Sequence, residues 1–263
     1  MKKSVNTNQR LDKIFELEYL RNKLAKNGEL SQLIKTYSKK DLEITNTNTG
    51  RKWDSLNKDI DCSINPMAFD RIKSLSKYII GNNLKILDFG FGQGALEKTL
   101  YGKDKISILV GLDISQKSVK KAKNKFKDWK FVVGGVEKIM KYKKYFDYVI
   151  CSEVLEHIPP SKIINTLKQF YMSLKPNGYL LISIPLNEGL EELLRNGNNP
   201  NSHTRIYTPD VIKAELKIAG FKYIASEFLF AFNKYYSLKK YIARVFGNII
   251  FKPNVMIVFA QKT

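Results

Sequence analysis

The sequence predicts an α/β fold, a doubly wound and mostly parallel sheet, on three observations. From Leu84 onward short apolar runs alternate with helical patterns, a glycine-rich loop follows the first run directly, and an aspartate closes the second. Strands that alternate with helices of this length bury both sheet faces, so each strand reads as a near-continuous apolar run.

Taken in order, KILDFG, ISILVGLD, KFVVGG, FDYVICS and YLLISIP are the first five strands. SQKSVKKAKNKF and SKIINTLKQFYMSL carry apolar residues at helical intervals and supply crossover helices. TPDVIKAELKIAG starts a further helix, with Pro209 at its first turn. The strands FKYIASEFLF and NVMIVFAQK follow, making seven. Ahead of the sheet, residues 1–60 read as an N-terminal helical cap: LDKIFELEYLRNKL has helical periodicity, and ITNTNTG is a loop. Residues 61–263 form the main domain, with a basic amphipathic insertion at about 230–252.

Composition narrows the function classes. The chain has 263 residues and 43% apolar content, enough for one sizeable core. No stretch approaches the length of a membrane span, and MKKSVNTNQR lacks the apolar region of a signal peptide. Two cysteines, Cys62 and Cys151, allow neither a disulfide framework nor a four-cysteine zinc site, which fits a cytoplasmic protein. The net charge of +20 points to an anionic partner or to a lysine-rich solvated surface.

In KILDFGFGQGALEKTL the first strand runs into Gly90, Gly92 and Gly94 and then into a helix. Glycines there permit a tight turn and leave N–H groups facing a ligand. Asp113, at the end of the next strand, is placed to accept from ribose hydroxyls. Asp88 decides between cofactors. A carboxylate two residues before the first glycine suits a cationic amino-acid portion and ill suits a pyrophosphate, favouring S-adenosylmethionine over a nicotinamide dinucleotide.

With those motifs in place, the chain resembles the class I S-adenosylmethionine-dependent methyltransferases from about Trp53 to its end. LDFGFGQG is similar to their first motif, GLDIS to their ribose motif, FDYVICSEVLEHI to their fourth strand and LKPNGYLLISIP to their fifth. The resemblance implies an antiparallel last strand. It places the methionine end of the cofactor at Asp88, Gly90, Gly92 and Gly94 and the ribose at Asp113. It extends the cofactor site to Ile114, Gly135, Val136, Ser152 and Glu153. Where the family usually has an acidic or amide residue on the adenine, this chain has Gly135, so that contact is expected from backbone or from Glu137.

SEVLEHI sets Glu153, Glu156 and His157 at i, i+3 and i+4, the spacing of one helical face. Three readings stay open: the edge of the cofactor pocket, a divalent-cation clip of the kind in ubiquinone-pathway O-methyltransferases, or acids favoured at a helix start. No metal is assigned. A hydroxyl acceptor needs a base, and His203 in NPNSHTRIY is the leading candidate, with His157 second. Arg205 and Tyr207 share that loop.

Past Glu227 no acidic residue occurs, and NKYYSLKKYIARVFG places Tyr235, Leu238, Tyr241, Ile242, Val245 and Phe246 at helical spacing. Such a helix suits an anionic membrane surface, a lid over an apolar substrate, or the core. The expected activity is methyl transfer to a small-molecule, lipid-linked or glycan acceptor, at oxygen. Alternatives are a metal-dependent RNA ribose methyltransferase and a cofactor-binding scaffold without catalysis. Nucleic acid is the less favoured partner, since SEVL stands where many base-modifying relatives carry an Asn/Asp-Pro-Pro-aromatic signature.

Overall fold

A computed structural model describes residues 48–56, 66–187, 202–204, 207–232, 234–246 and 250–263. The helices expected over LDKIFELEYLRNKL, with Cys62 and Arg205, lie outside those residues.

Seven strands form one sheet: β1 (Leu84–Phe89), β2 (Ile106–Asp113), β3 (Lys130–Val133), β4 (Phe146–Ser152), β5 (Leu174–Pro185), β6 (Phe221–Leu229) and β7 (Val255–Lys262). Their spatial order is β3-β2-β1-β4-β5-β7-β6. Neighbours pair in parallel except that β7 runs antiparallel to both β5 and β6. The doubly wound sheet and its antiparallel last strand are therefore as expected. β5 starts earlier than YLLISIP suggests, because Leu174 already pairs with Phe146 before the register shifts. Asn177 absorbs that irregularity in the left-handed region, at φ 60°.

Around the sheet lie α1 (Gly50–Leu56), α2 (Pro66–Lys77), α3 (Ala95–Leu100), α4 (Gln116–Lys125), α5 (Pro160–Ser173), α6 (Pro209–Ile218) and α7 (Tyr236–Phe246). Two helix starts are read directly from sequence: the side chains of Ser115 and Thr208 accept from the N–H groups of Ser118 and Val211.

Consecutive residues of a strand face opposite sides, so the sheet builds two cores. Leu87, Val149 and Ile182 pack with Ile163, Leu167 and Phe170 of α5 on one face. Ile86, Ile150 and Leu181 pack with Leu75, Leu96 and Val119 on the other. This double burial makes the strands apolar throughout and fixes their register.

The strand order reverses between β1 and β4. Asp88, near the end of β1, pairs in register with Gly111 of β2 and Ile150 of β4. Ligands of open α/β sheets bind at such a reversal, outside the strands' carboxyl ends.

Candidate active site

A cavity of about 880 Å³ opens at that reversal, within the range of roughly 300–1,000 Å³ usual for small-ligand sites. Among the described residues its walls carry Asp88, Gly90, Gly92, Asp113 and Ile114, together with Gly135, Val136, Ser152, Glu153 and His157. Of the residues expected at the site, Gly94 and His203 are not on that wall.

The glycine loop is shaped by sterics and fastened from within. Gly90 has φ 77°, and a Cβ there would come within 2.3 Å of Val154 Cγ2, so no side chain is tolerated. Gly92 has φ 58° and nothing within 4 Å of its missing Cβ. The N–H groups of Gly90 and Gly94 donate to the carbonyls of Leu112 at 2.7 Å and Phe91 at 3.1 Å. That of Gly92 donates to Asp113 Oδ2 at 2.8 Å. The expectation that these N–H groups face a ligand is corrected: those of Gly90 and Gly92 go to β2 and that of Gly94 to the loop's own turn, and the glycines contribute shape.

Asp113 therefore has two tasks. Its Oδ1 accepts from the Ser115 N–H at 2.8 Å while Oδ2 holds Gly92, and its remaining lone pairs are left for hydroxyl donors. Burial pushes its carboxyl above the usual range, and the two N–H donors oppose that rise. On the wall where the adenine is expected, Gly135 donates its N–H to Glu137 Oε1 at 2.9 Å, curling that carboxylate over the backbone.

Asp88 is 3% exposed and adjoins Glu97 of α3, which is fully buried. The two carboxyls are coupled, and Asp88 adds to the burial that favours the protonated form of Glu97. Burial is the main reason that Asp88 is raised to about 7 and Glu97 well above its ordinary value. Asp88 Oδ1, Gln93 Nε2 and Arg71 Nε are buried polar atoms without a hydrogen-bond partner among the described residues, and all three residues line the cavity. One acceptor beside two donors is the complement of a zwitterionic amino-acid group.

SEVLEHI does not form one helical face. Glu153 has φ 55°, an outlier for a non-glycine residue, and only Leu155–His157 make a single 3₁₀ turn. That kink sends Glu153 away from Glu156. Its Oε1 accepts from the Ser183 hydroxyl at 2.9 Å, and its Oε2 lies 3.5 Å from Arg71. Because Ser183 spends its proton on Glu153, the Ser152 hydroxyl donates to Ser183 at 2.9 Å.

Glu156 turns inward instead. Its Oε1 lies 3.9 Å from His157 Nε2 and 4.0 Å from His203 Nε2. The two imidazoles meet edge to face with centroids 4.8 Å apart. His157 is on the cavity wall, and His203 stands behind it, 8% exposed. Sequence reasoning put His203 first; the structure gives His157 the access. Burial and the neighbouring His203 lower His157 to about 3, so it is neutral. One of its ring nitrogens, Nδ1, is 3.3 Å from the Ser202 carbonyl. With the proton on Nδ1 donated to that carbonyl, Nε2 is an acceptor.

Glu156, His157 and His203 each offer a ligand atom, and these atoms lie within 4.8 Å of one another. Two imidazoles and a carboxylate are a donor set that suits a first-row divalent cation. Glu153 is not part of it.

Sequence reasoning missed the residues that come from outside the motifs. Asn48 donates to the carbonyl of Ser202 at 3.0 Å, and Trp53 of α1 meets His157 edge to face at 4.8 Å. Asp54 accepts from the Ser115 hydroxyl at 2.6 Å, tying α1 to the turn after β2. Arg71 had a legible signal: it falls on the same helical stripe as Met67, Ala68 and Ile72, all on the cavity wall.

Residues 63–226 match the family described as "Methyltransferase domain". The chain belongs to the methyltransferase domain family. It is 30% identical over 125 residues to a ubiquinone biosynthesis O-methyltransferase of Coxiella burnetii, 46% of this chain and 50% of that protein. It is 28% identical over 129 residues to a malonyl-[acyl-carrier protein] O-methyltransferase of Priestia megaterium, 48% of this chain and 46% of that protein. The matches thus span about half the length of these curated relatives. Among solved structures, an S-adenosylmethionine-dependent methyltransferase from Archaeoglobus fulgidus superposes with TM-score 0.57 at 22% identity, over 73% of this chain and 92% of that one. The site fits S-adenosylmethionine: Asp88 Oδ1 would take an ammonium, Arg71 and Gln93 a carboxylate, and Asp113 ribose hydroxyls.

Proposed function

We propose that the protein transfers a methyl group to a hydroxyl of a small-molecule, lipid-linked or carrier-linked acceptor. The observation that carries this reading is that one cavity reaches from Asp88 and the glycine loop to a neutral imidazole at its other wall. The curated relatives act, by their names, at oxygen in ubiquinone biosynthesis and on malonyl-acyl-carrier protein, which favours such acceptors over RNA.

Bound S-adenosylmethionine supplies a methyl carbon already activated by a sulfonium. The chain's task is then to orient the acceptor, exclude water and accept a proton. His157 Nε2 accepts the acceptor's hydroxyl proton while the Ser202 carbonyl fixes the ring through Nδ1. Glu156, 3.9 Å from Nε2, must stabilise the resulting imidazolium against the burial that lowers His157 to about 3. His203 and Trp53 hold the ring edge to face from two sides, as positioning residues. Incubating the protein with methyl-labelled cofactor and fractionated cell extract tests the proposal. Label in a lipid or small-molecule fraction, lost with His157→Ala, is the expected result; label only in RNA, or activity intact in that variant, contradicts it.

The convergence of Glu156, His157 and His203 favours a second reading, in which a divalent cation bound there orients the acceptor hydroxyl. Metal analysis after dialysis, with a melting shift on adding manganese or zinc, decides it. Glu156→Gln removes the shift if the cation binds there.

A further inference from the structure

Helix α7 wears its apolar face outward. Tyr235, Leu238, Tyr241 and Val245 are 75%, 61%, 68% and 60% exposed, and Phe246 and Ile250 are exposed beside them. The face turned to the domain holds Tyr236, Lys240 and the buried Ala243. An ordinary amphipathic helix of a folded domain does the reverse, burying its apolar stripe. Several large exposed apolar side chains in one contiguous patch mark an interaction site.

From this inversion we infer that α7 is an in-plane anchor that docks the protein on an anionic phospholipid surface. Charge complementarity selects that occupant. No acidic residue occurs between Glu227 and Thr263, while Lys234 and Lys252 are exposed near the patch, in a chain of net charge +20. Tyrosine and phenylalanine beside lysine is the composition that settles at the headgroup boundary. Lys240 is spent differently. Its Nζ bonds to Asp70 of α2, which also accepts from the Tyr236 hydroxyl at 2.7 Å. These bonds clamp the apolar face outward and couple it to α2, whose Met67, Ala68, Arg71 and Ile72 line the cavity. A docked α7 would therefore hold a wall of the cavity at the lipid boundary, whichever acceptor the site takes.

Flotation of the full chain with vesicles tests the inference. Binding to mixed phosphatidylcholine–phosphatidylglycerol vesicles, weakened by salt, with little binding to phosphatidylcholine alone, is expected. Leu238→Glu with Tyr241→Glu and Val245→Glu should reduce binding about tenfold or more while leaving the melting temperature and cofactor affinity unchanged. As a second readout, Tyr241→Trp should shift its fluorescence to the blue on mixed vesicles and be quenched by brominated lipid. Equal binding to neutral and anionic vesicles, no quenching, or a patch covered instead by a second copy of the chain or by its residues 1–47 would overturn the inference.

Discussion

Asp88 and Glu97 form a coupled pair of buried carboxyls, each shut away from water by the strand and helix that carry it. The first-motif acid is therefore half of a pair. A cationic ammonium arriving at Asp88 would favour ionisation of the pair, because a positive charge nearby stabilises the carboxylate form.

The pair makes stability and cofactor binding depend on pH in opposite directions. Asp88 has its folded value raised from 3.8 to about 7. Its contribution to stability is fully present below about pH 4 and is lost as pH rises through about 7. The melting temperature without cofactor is expected to fall between those limits, with a smaller fall in Asp88→Asn. Cofactor affinity should instead rise through pH 7 with release of a proton, read by calorimetry in buffers of different ionisation enthalpy.

Glu97→Gln keeps a polar group beside Asp88 and removes the second acid. It should retain cofactor affinity to within about threefold, whereas Glu97→Leu should weaken it by roughly tenfold as Asp88 loses its buried polar neighbour. Paired calorimetric titrations at one pH check the order.

Asp113→Asn removes the carboxylate that holds the Gly92 and Ser115 N–H groups. Hydrogen bonds to a charged acceptor contribute roughly 1.5–3 kcal/mol each, so both the melting temperature and cofactor affinity should drop. A loss of affinity with unchanged melting would mean that Asp113 serves the ligand alone.

Gly90→Ala sets a Cβ at 2.3 Å from Val154 in a left-handed backbone. Strain of about 1–3 kcal/mol, plus the overlap, is expected to collapse the loop and abolish cofactor binding in a protein that still folds. Circular dichroism with calorimetry separates the two effects.

Trp53→Ala removes one edge-to-face contact on His157, a pair of about 0.5–1.5 kcal/mol. Its transfer rate should fall several-fold more than its cofactor affinity, measured once an acceptor fraction is in hand.

Most of the sheet was legible because parallel strands announce themselves twice, as apolar runs and by the turns between them. The expected ISILVGLD and FDYVICS coincide with β2 and β4 residue for residue. The cavity wall at the sheet's edge was legible because Asp88, Gly90, Gly92 and Asp113 are local to strand ends. The histidine end was not, because helical spacing assumes a helix, and Glu153 at φ 55° breaks it. Trp53 and Asn48 reach His157 and Ser202 across more than a hundred residues of chain, which no local pattern reveals. Glu97 sat in plain view between Leu96 and Leu100, on the buried side of a short helix, but an acid there conflicts with burial unless a partner such as Asp88 is known.

A cationic end of S-adenosylmethionine seated on Asp88, at the reversal of strand order, requires that removing this carboxylate weaken cofactor binding. Calorimetric titration of the cofactor into the wild type and into Asp88→Asn, at pH 7.5 with melting curves as the folding control, tests it most directly. A loss of roughly 50-fold or more in affinity in a folded variant is predicted, the effect of removing a charge-assisted hydrogen bond of about 2–3 kcal/mol. Equal affinity in the two proteins would contradict it.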